Sequence, residues 1–167
     1  MLNPSFKIGT PLENEGQEIV SLAKKIKQFS QEDVCCIQDL WNESLHSETD
    51  IDRYHFIIAK DTKQVIGFAC YGHRPLTEGT YDFYWLGVDP TFQKQGIGRA
   101  LIDQVEKEIR DKKGYLLIIE TSSLEEFSSP RALYTSFGYQ LVAQIPDFYK
   151  PGDGLVIYTK KLSLQNN

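Results

Sequence analysis

Apolar residues change their spacing several times along the chain, and each change marks a predicted element. Between residues 15 and 29 they recur every three or four positions, which predicts an amphipathic helix. The same spacing runs from 34 to 45, after Ser30 and Asp33, which resemble the capping box of a helix start. Two consecutive helices are therefore expected near the beginning of the chain, after a short strand at 6–8.

Three runs rich in β-forming residues follow the second helix. His55–Ala59 and Val65–Tyr71 are separated by five polar residues, which is typical of a hairpin. Thr80–Val88 is the third run and ends just before Pro90. These segments predict three antiparallel strands.

A second pattern begins with a helical stripe over residues 97–112, for which Gly114 is the predicted C-terminal stop. The continuous apolar run 115–120 then predicts a strand that is covered on both faces. Together with Thr80–Val88, the helix and this strand form a β-α-β unit, so we expect the two strands to be parallel.

The C-terminal part predicts one more helix and two more strands. Ser129 and Pro130 are expected as the N-cap and first residue of a short helix that Gly138 ends. The last strands and the loop between them are 139–145, 155–161 and 146–154. This loop carries Phe148 and Tyr149, and the sequence leaves open whether it is a lid over a pocket or a rigid hairpin end.

Length and composition limit the classes of protein to consider. The 167 residues predict a single domain, with 1–14 and 163–167 loosely ordered. The net charge of −5 without a compensating basic stripe argues against a nucleic-acid partner. No apolar run approaches membrane-spanning length, so no membrane partner is expected.

Cysteine and histidine usage points to no metal or disulfide. The cysteines are an adjacent pair and a singleton, which is neither a disulfide framework nor metal-ligand spacing, and this pattern suits a reducing cytoplasm. The three histidines are scattered without ligand spacing.

The most informative stretch lies between the third strand and the helix at 97. Residues 93–98 read Gln-x-x-Gly-x-Gly, and a helix that opens behind such a turn offers unpaired amides and a positive dipole end to an anion. The spacing fits neither the nucleotide-triphosphate loop nor the dinucleotide fingerprint. Gly96 and Gly98 would let a phosphate approach the main chain.

This motif, its Val-Asp-Pro approach at 88–90 and the segment Tyr134–Tyr139 closely resemble the GNAT family of N-acetyltransferases, over roughly residues 56–162. The resemblance implies an α/β (α+β) fold with a mixed sheet of about six to seven strands and about four helices. Its N-terminal half would be antiparallel, and its central parallel pair would splay apart.

The resemblance also implies acetyl-coenzyme A as the co-substrate. The pantetheine arm would lie in the splay and bond to the backbone of Leu86, Gly87 and Val88. The diphosphate would meet the amides of the loop. These positions are Lys94, Gln95, Gly96, Ile97, Gly98 and Arg99.

Catalytic positions follow by the same resemblance. Tyr134 matches the tyrosine that commonly protonates the departing sulfur, and the Val88 amide matches the oxyanion donor. Asp82 lies eleven residues before Gln93, where the histone-acetylating branch of the family has a general-base glutamate. Glu120 is the rival base, and a water chain to either carboxylate also remains open.

One departure from the family pattern concerns residues 124–130. Many relatives carry an asparagine there that contacts the cofactor, whereas this chain has none. Ser129 stands in its place as a candidate cofactor contact or a helix cap, with the cap favoured.

The activity expected from these residues is direct acetyl transfer to a primary amine of a small molecule or of a peptide or protein N-terminus. A coenzyme A-binding regulatory or interaction module without turnover is the alternative, and a phosphate-ligand binder unrelated to acyl transfer is the third. Homodimers are frequent among similar proteins, so a homodimer stays open.

Overall fold

The computed structural model describes residues 6–163, which build one mixed sheet with helices on both faces. The strands are β1 (Lys7–Gly9), β2 (His55–Lys60), β3 (Val65–His73), β4 (Thr80–Val88), β5 (Leu116–Ser122), β6 (Gln140–Lys150) and β7 (Asp153–Lys161). The helices are α1 (Gly16–Ala23), α2 (Gln31–His46), α3 (Ile97–Asp111) and α4 (Ser128–Ser136). No helix among residues 6–163 has the length and apolar character needed to cross a bilayer.

The seven strands lie in the order β1-β2-β3-β4-β5-β7-β6. β4 and β5 are parallel, and every other neighbouring pair is antiparallel. The antiparallel N-terminal half, the parallel central pair and the number of strands and helices are therefore confirmed. The expectation of a single domain stays a prediction.

Two apolar clusters sandwich the sheet because side chains of successive strand residues point to opposite faces. On one face, α3 packs Leu101 and Val105 against Tyr71 and Phe83. On the other face, α1 and α2 cover β2 and β3, with Phe68 fully buried between them. In β5, Leu117 and Ile119 are buried, whereas Leu116, Ile118 and Glu120 are partly or fully exposed. The expectation that β5 is covered on both faces is therefore wrong.

The first helix is shorter than the spacing predicts. α1 ends at Ala23, and residues 24–29 continue as turns in which the Ile26 and Phe29 amides bond three residues back. Ile26 still packs on the apolar cluster, so the spacing reports burial rather than helix. The start of α2 is confirmed, since Asp33 N donates to Ser30 Oγ at 3.1 Å and Ser30 N to Asp33 Oδ2 at 2.7 Å.

The end of α3 and the start of α4 also differ from expectation. α3 ends at Asp111, and Lys113 rather than Gly114 takes the left-handed conformation (φ 62°). The predicted cap at Ser129 is wrong, because a 3₁₀ turn (Glu125–Phe127) leads directly into α4 and places Ser129 inside the helix. The Ser129 cofactor contact stays a prediction.

Two stretches were expected to be loosely ordered. Within 1–14, residues 7–9 form β1 and pair with β2, and 13–15 form a 3₁₀ turn. Residues 1–5 and 164–167 lie outside the described part of the chain.

Candidate functional site

The central parallel strands separate halfway along their length. β4 and β5 pair from Thr80↔Leu116 to Phe83↔Ile119 and no further, although β4 continues to Val88. At this point β4 carries a bulge, because Tyr71 pairs with Phe83 whereas Cys70 pairs with Trp85. A bulge bends and twists its strand, so it turns the second half of β4 away from β5. The predicted gap between these strands is present.

The edge of β4 that faces this gap has free main-chain groups. Asp89 N donates to Ile66 O of β3 at 2.9 Å. Because peptide groups of successive strand residues face opposite edges, the Val88 amide is directed toward the gap. Gly87 is required for packing, since a Cβ there would lie 2.5 Å from the Phe68 ring and 2.7 Å from Ile26. By the same alternation the Leu86 main chain also faces the gap, whereas that of Gly87 faces β3, so an extended arm can join this edge at Leu86 and Val88, and the predicted main-chain bond to Gly87 is wrong.

The loop after β4 leads into the N-terminus of α3. This first helical turn, which no side chain caps, is the helix mouth. Lys94 (φ 61°) and Gly96 (φ 84°) are both left-handed, and Gly96 is the N-cap of α3 with no side-chain cap. The first amides of α3 therefore lack side-chain partners. A Cβ at Gly96 would meet nothing within 4 Å, so the space before the mouth is free. A mouth of this form fits a diphosphate.

Asp89 supports the turn between β4 and this loop, and the sequence interpretation assigned it no role. Its carboxylate accepts from Thr91 N at 2.9 Å and Thr91 Oγ1 at 2.7 Å, and Lys25 Nζ donates to it at 3.1 Å. Burial by itself would raise the pKa of Asp89, but these hydrogen bonds hold that pKa below its ordinary value. Its place directly after a strand and before Pro90 is the available sequence signal.

α4 lies against the start of α3, since a Cβ on Gly98 would come within 3.3 Å of Leu133 and 3.8 Å of Val88. The next residue, Tyr134, is buried, and its ring lies 6.1 Å from that of Tyr139. Burial raises the pKa of Tyr134, so the phenol stays protonated at neutral pH.

Asp82 and Glu120 meet on the same guanidinium. Arg74 Nε donates to both Asp82 oxygens at 3.0 Å, and Nη2 donates to Asp82 Oδ1 at 2.8 Å and to Glu120 Oε1 at 3.3 Å. The hydrogen bonds to Asp82 raise the pKa of Arg74. The structure thus brings the two predicted carboxylates together near the point where β4 and β5 part. Sequence reasoning missed Arg74, which follows β3 in a loop without any motif.

Aromatic side chains surround these carboxylates. Tyr84 Oη lies 3.5 Å from Asp82 Oδ2, and its ring contacts that of Tyr54 edge to face at 5.5 Å. At the tip of the β6–β7 hairpin, the rings of Phe148 and Tyr149 are half exposed and 5.0 Å apart. Partial burial, with Glu120 as the next contributor, raises the pKa of Tyr149. Residues 146–150 belong to β6 and 153–154 to β7, so the predicted loop 146–154 is a hairpin end with its turn at 151–152, and the pocket-lining role of Phe148 or Tyr149 stays a prediction.

Three predicted cofactor contacts, Lys94, Gln95 and Arg99, have exposed side chains. The Arg99 guanidinium stacks on Phe137 at 4.5 Å and donates to Ser136 Oγ at 3.5 Å, at the end of α4. Lys94 and Gln95 are exposed, so their side chains are free to turn.

Among residues 6–163, no group of three His, Cys, Asp or Glu has a metal-binding arrangement.

Comparisons with known proteins agree with this geometry. The family model described as acetyltransferase (GNAT) domain matches residues 52–141. A Desulfovibrio desulfuricans protein assigned to the GNAT acetyltransferases is 32% identical, with 95% of this chain and 99% of that chain covered and a TM-score of 0.89.

More distant structures share the fold. The ribosomal-protein-S18-alanine N-acetyltransferase of Escherichia coli is 17% identical over 97% of each chain, with a TM-score of 0.78. The PaiA N-acetyltransferase of Thermoplasma acidophilum, solved with coenzyme A, is 18% identical over 94% of this chain and 99% of that chain, with a TM-score of 0.73. No curated protein matches in sequence. With its matching domain, its splayed strands and its open helix mouth, the chain belongs to the GNAT family of acetyltransferases.

Proposed function

We propose that the protein transfers an acetyl group from acetyl-coenzyme A directly to a primary amine of a small molecule or of a peptide or protein N-terminus. The observation that carries this proposal is the gap between β4 and β5, which opens beside the helix mouth at Gly96. A strand edge and a set of helix amides in one line suit a ligand that has an extended arm and a diphosphate.

On this proposal the main chain holds the acetyl donor, and the donor supplies an activated thioester carbon. The main-chain groups of Leu86 and Val88 bond the pantetheine arm, with Gly87 between them packed against Phe68, while the amides of 94–99 bind the diphosphate. The Val88 amide, directed into the gap, stabilises the oxyanion that forms on the thioester oxygen. Arg99 and Ser129 are secondary contacts at the α4 side of the mouth.

Side chains around the gap accept and donate the protons. The ammonium group must lose a proton before it attacks, and Asp82 or Glu120 accepts that proton directly or through a water. A carbon–nitrogen bond then forms and the carbon–sulfur bond breaks. Tyr134 donates its proton to the departing thiolate, and the second proton, which the nitrogen loses as the amide forms, restores the phenol. Two carboxylates, with the Tyr84 and Tyr54 rings beside Asp82, suit a cationic acceptor.

A panel of amines tests this proposal. Tyramine, spermidine, kanamycin and a short peptide with an N-terminal alanine are each incubated with acetyl-coenzyme A, and free thiol release is followed. We expect turnover with at least one class and acetylation at its primary amine by mass spectrometry. Tight coenzyme A binding by calorimetry without any turnover would instead support the binding-module alternative. Absence of coenzyme A binding would overturn both.

A further inference from the structure

Asp82 and Glu120 occupy different environments although they share one arginine. The Asp82 side chain is 12% exposed and takes part in three of the four Arg74 contacts, whereas the Glu120 side chain is 45% exposed and has one contact at 3.3 Å. Protonation of Asp82 would leave the guanidinium beside a neutral partner in three of its four contacts. Protonation of Glu120 costs one long contact at the surface.

The backbone of Arg74 is fixed where the chain leaves β3. Arg74 N donates to Thr80 O at 2.8 Å, and Thr77 Oγ1 donates to Arg74 O at 2.7 Å. The side chain therefore starts from a defined position at the neck of the β3–β4 hairpin. A bidentate guanidinium also fixes the plane of the carboxylate that it binds.

We propose that Arg74 divides the work of the two carboxylates: it holds Asp82 as a fixed anion and leaves Glu120 to accept the proton of the acceptor amine. The inference rests on the proposed amine acetylation and assigns its base. Arg74 acts through the carboxylates, so it is a positioning residue. Asp82 shares Arg74 with Glu120, and Tyr84 lies beside Asp82. Beyond the effect of burial, Tyr149 of β6 is close enough for the charges of Glu120, Asp153 of β7 and Asp33 of α2 to raise its pKa.

The kinetic test uses the panel amine with the highest kcat/KM and follows kcat/KM against pH. In Glu120→Gln we expect kcat to fall about 100-fold. We also expect the acidic limb, which is the decrease in kcat/KM toward low pH, to disappear. In Asp82→Asn the limb remains and moves to lower pH, because the released guanidinium turns to Glu120. In Arg74→Gln the limb moves to higher pH, since the positive charge is lost, and Arg74→Lys restores part of this change.

Arg110 supplies a matched control. It donates to the buried carboxylate of Glu106 at 2.8 Å on the other side of the sheet. Arg110→Gln should therefore reduce stability as Arg74→Gln does and leave the acidic limb unmoved. A limb that survives in Glu120→Gln and disappears in Asp82→Asn, or a limb that Arg74→Gln does not move, would overturn the inference while the acetylation itself stands.

A second arm does not depend on turnover. Double-mutant cycles by urea unfolding pair Arg74→Gln with Asp82→Asn and with Glu120→Gln. We expect the Arg74–Asp82 coupling to change the unfolding equilibrium about tenfold and the Arg74–Glu120 coupling to change it less than about threefold. Equal or reversed couplings would overturn the division of roles, even if no panel amine were acetylated.

Discussion

The two ends of the gap between β4 and β5 consist of different chemical groups. The end proposed for the cofactor consists of main-chain groups from one continuous stretch, residues 86–99. The end proposed for the acceptor consists of side chains from separate segments: Tyr54 before β2, Arg74 after β3, Asp82 and Tyr84 of β4, Glu120 of β5 and Tyr149 of β6. The first end is defined by the path of the backbone, and the second by side-chain identity.

This difference predicts different sensitivities. A backbone site fails when a Cβ or a changed φ alters the chain path, and it tolerates changes in side-chain charge. A side-chain site fails when a single functional group is removed, although the fold remains. The same fold can therefore retain one donor and accept different amines.

The largest effect should come from removal of the Tyr134 hydroxyl, the proposed proton donor. Tyr134→Phe should lower kcat about 100-fold and leave the acetyl-coenzyme A Kd within about twofold, because the phenol acts on the leaving thiolate rather than on binding. Steady-state kinetics and calorimetry measure the two values. Tyr158→Phe, whose ring lies 6.2 Å from that of Tyr134, is the control and should keep full turnover. Full turnover in Tyr134→Phe would remove the acid assignment.

A change of backbone preference should weaken the cofactor end alone. Gly96→Ala should raise the acetyl-coenzyme A Kd at least about tenfold, since φ is 84° there and the added Cβ enters the space before the mouth. Gly138→Ala carries the same strain at φ 82°, also with no atom within 4 Å, and serves as the matched control for stability. Equal Kd values in both variants would show that the mouth does not bind the diphosphate.

The ion pair between Lys25 and Asp89 stabilises the turn that leads into the cofactor end. Lys25→Met should lower the free energy of unfolding at pH 7 by about 1 kcal/mol, a small value because half of the lysine side chain is in solvent. Lys24→Met, an exposed neighbour, should change it much less.

The same pair has a predictable pH dependence. The folded-state pKa of Asp89 is lowered, so its stabilisation is present above the unfolded value and is lost as the pH falls through the folded one. The difference between wild type and Lys25→Met in urea unfolding should therefore shrink below about pH 3.9. A difference that does not change with pH would assign the effect to packing of the lysine stem.

The smallest effect should come from the rim of the acceptor end. Tyr149→Ala should raise the KM of the preferred amine about threefold, since an exposed aromatic contact contributes little, and should leave the acetyl-coenzyme A Kd unchanged. Val142→Ala, an equally exposed apolar residue of β6, is the control. A rise in the acetyl-coenzyme A Kd instead would show that the hairpin tip lies at the cofactor end and not at the acceptor end.

Most of the fold could be predicted from periodicity, because helices and strands bury apolar residues at different spacings. Thr80–Val88 has the predicted bounds, and α2 begins with the predicted cap. The errors occur where a buried apolar residue does not lie in a helix. Ile26, for example, is buried by the turns that follow α1. A pattern of apolar residues reports which side chains are inside and does not report the hydrogen bonding of their backbone.

The cofactor end could be predicted because its parts are neighbours in sequence. A strand end, two glycines and a helix start suffice to place unpaired amides in one loop. The acceptor end was predicted only as the separate candidates Asp82 and Glu120. The arginine that joins them comes from a third segment, and no local pattern reports a contact between residues 74 and 120.

By itself, the sequence determined the order of the elements, the parallel pair and the loop with its open helix amides, since each depends on residues close together in the chain. The tertiary structure alone decided that β4 bulges at Tyr84, that β5 leaves it after Ile119 and that Arg74 binds two carboxylates unequally. These features arise when distant segments pack, because burial, solvent exposure and hydrogen-bond geometry are properties of the assembled chain.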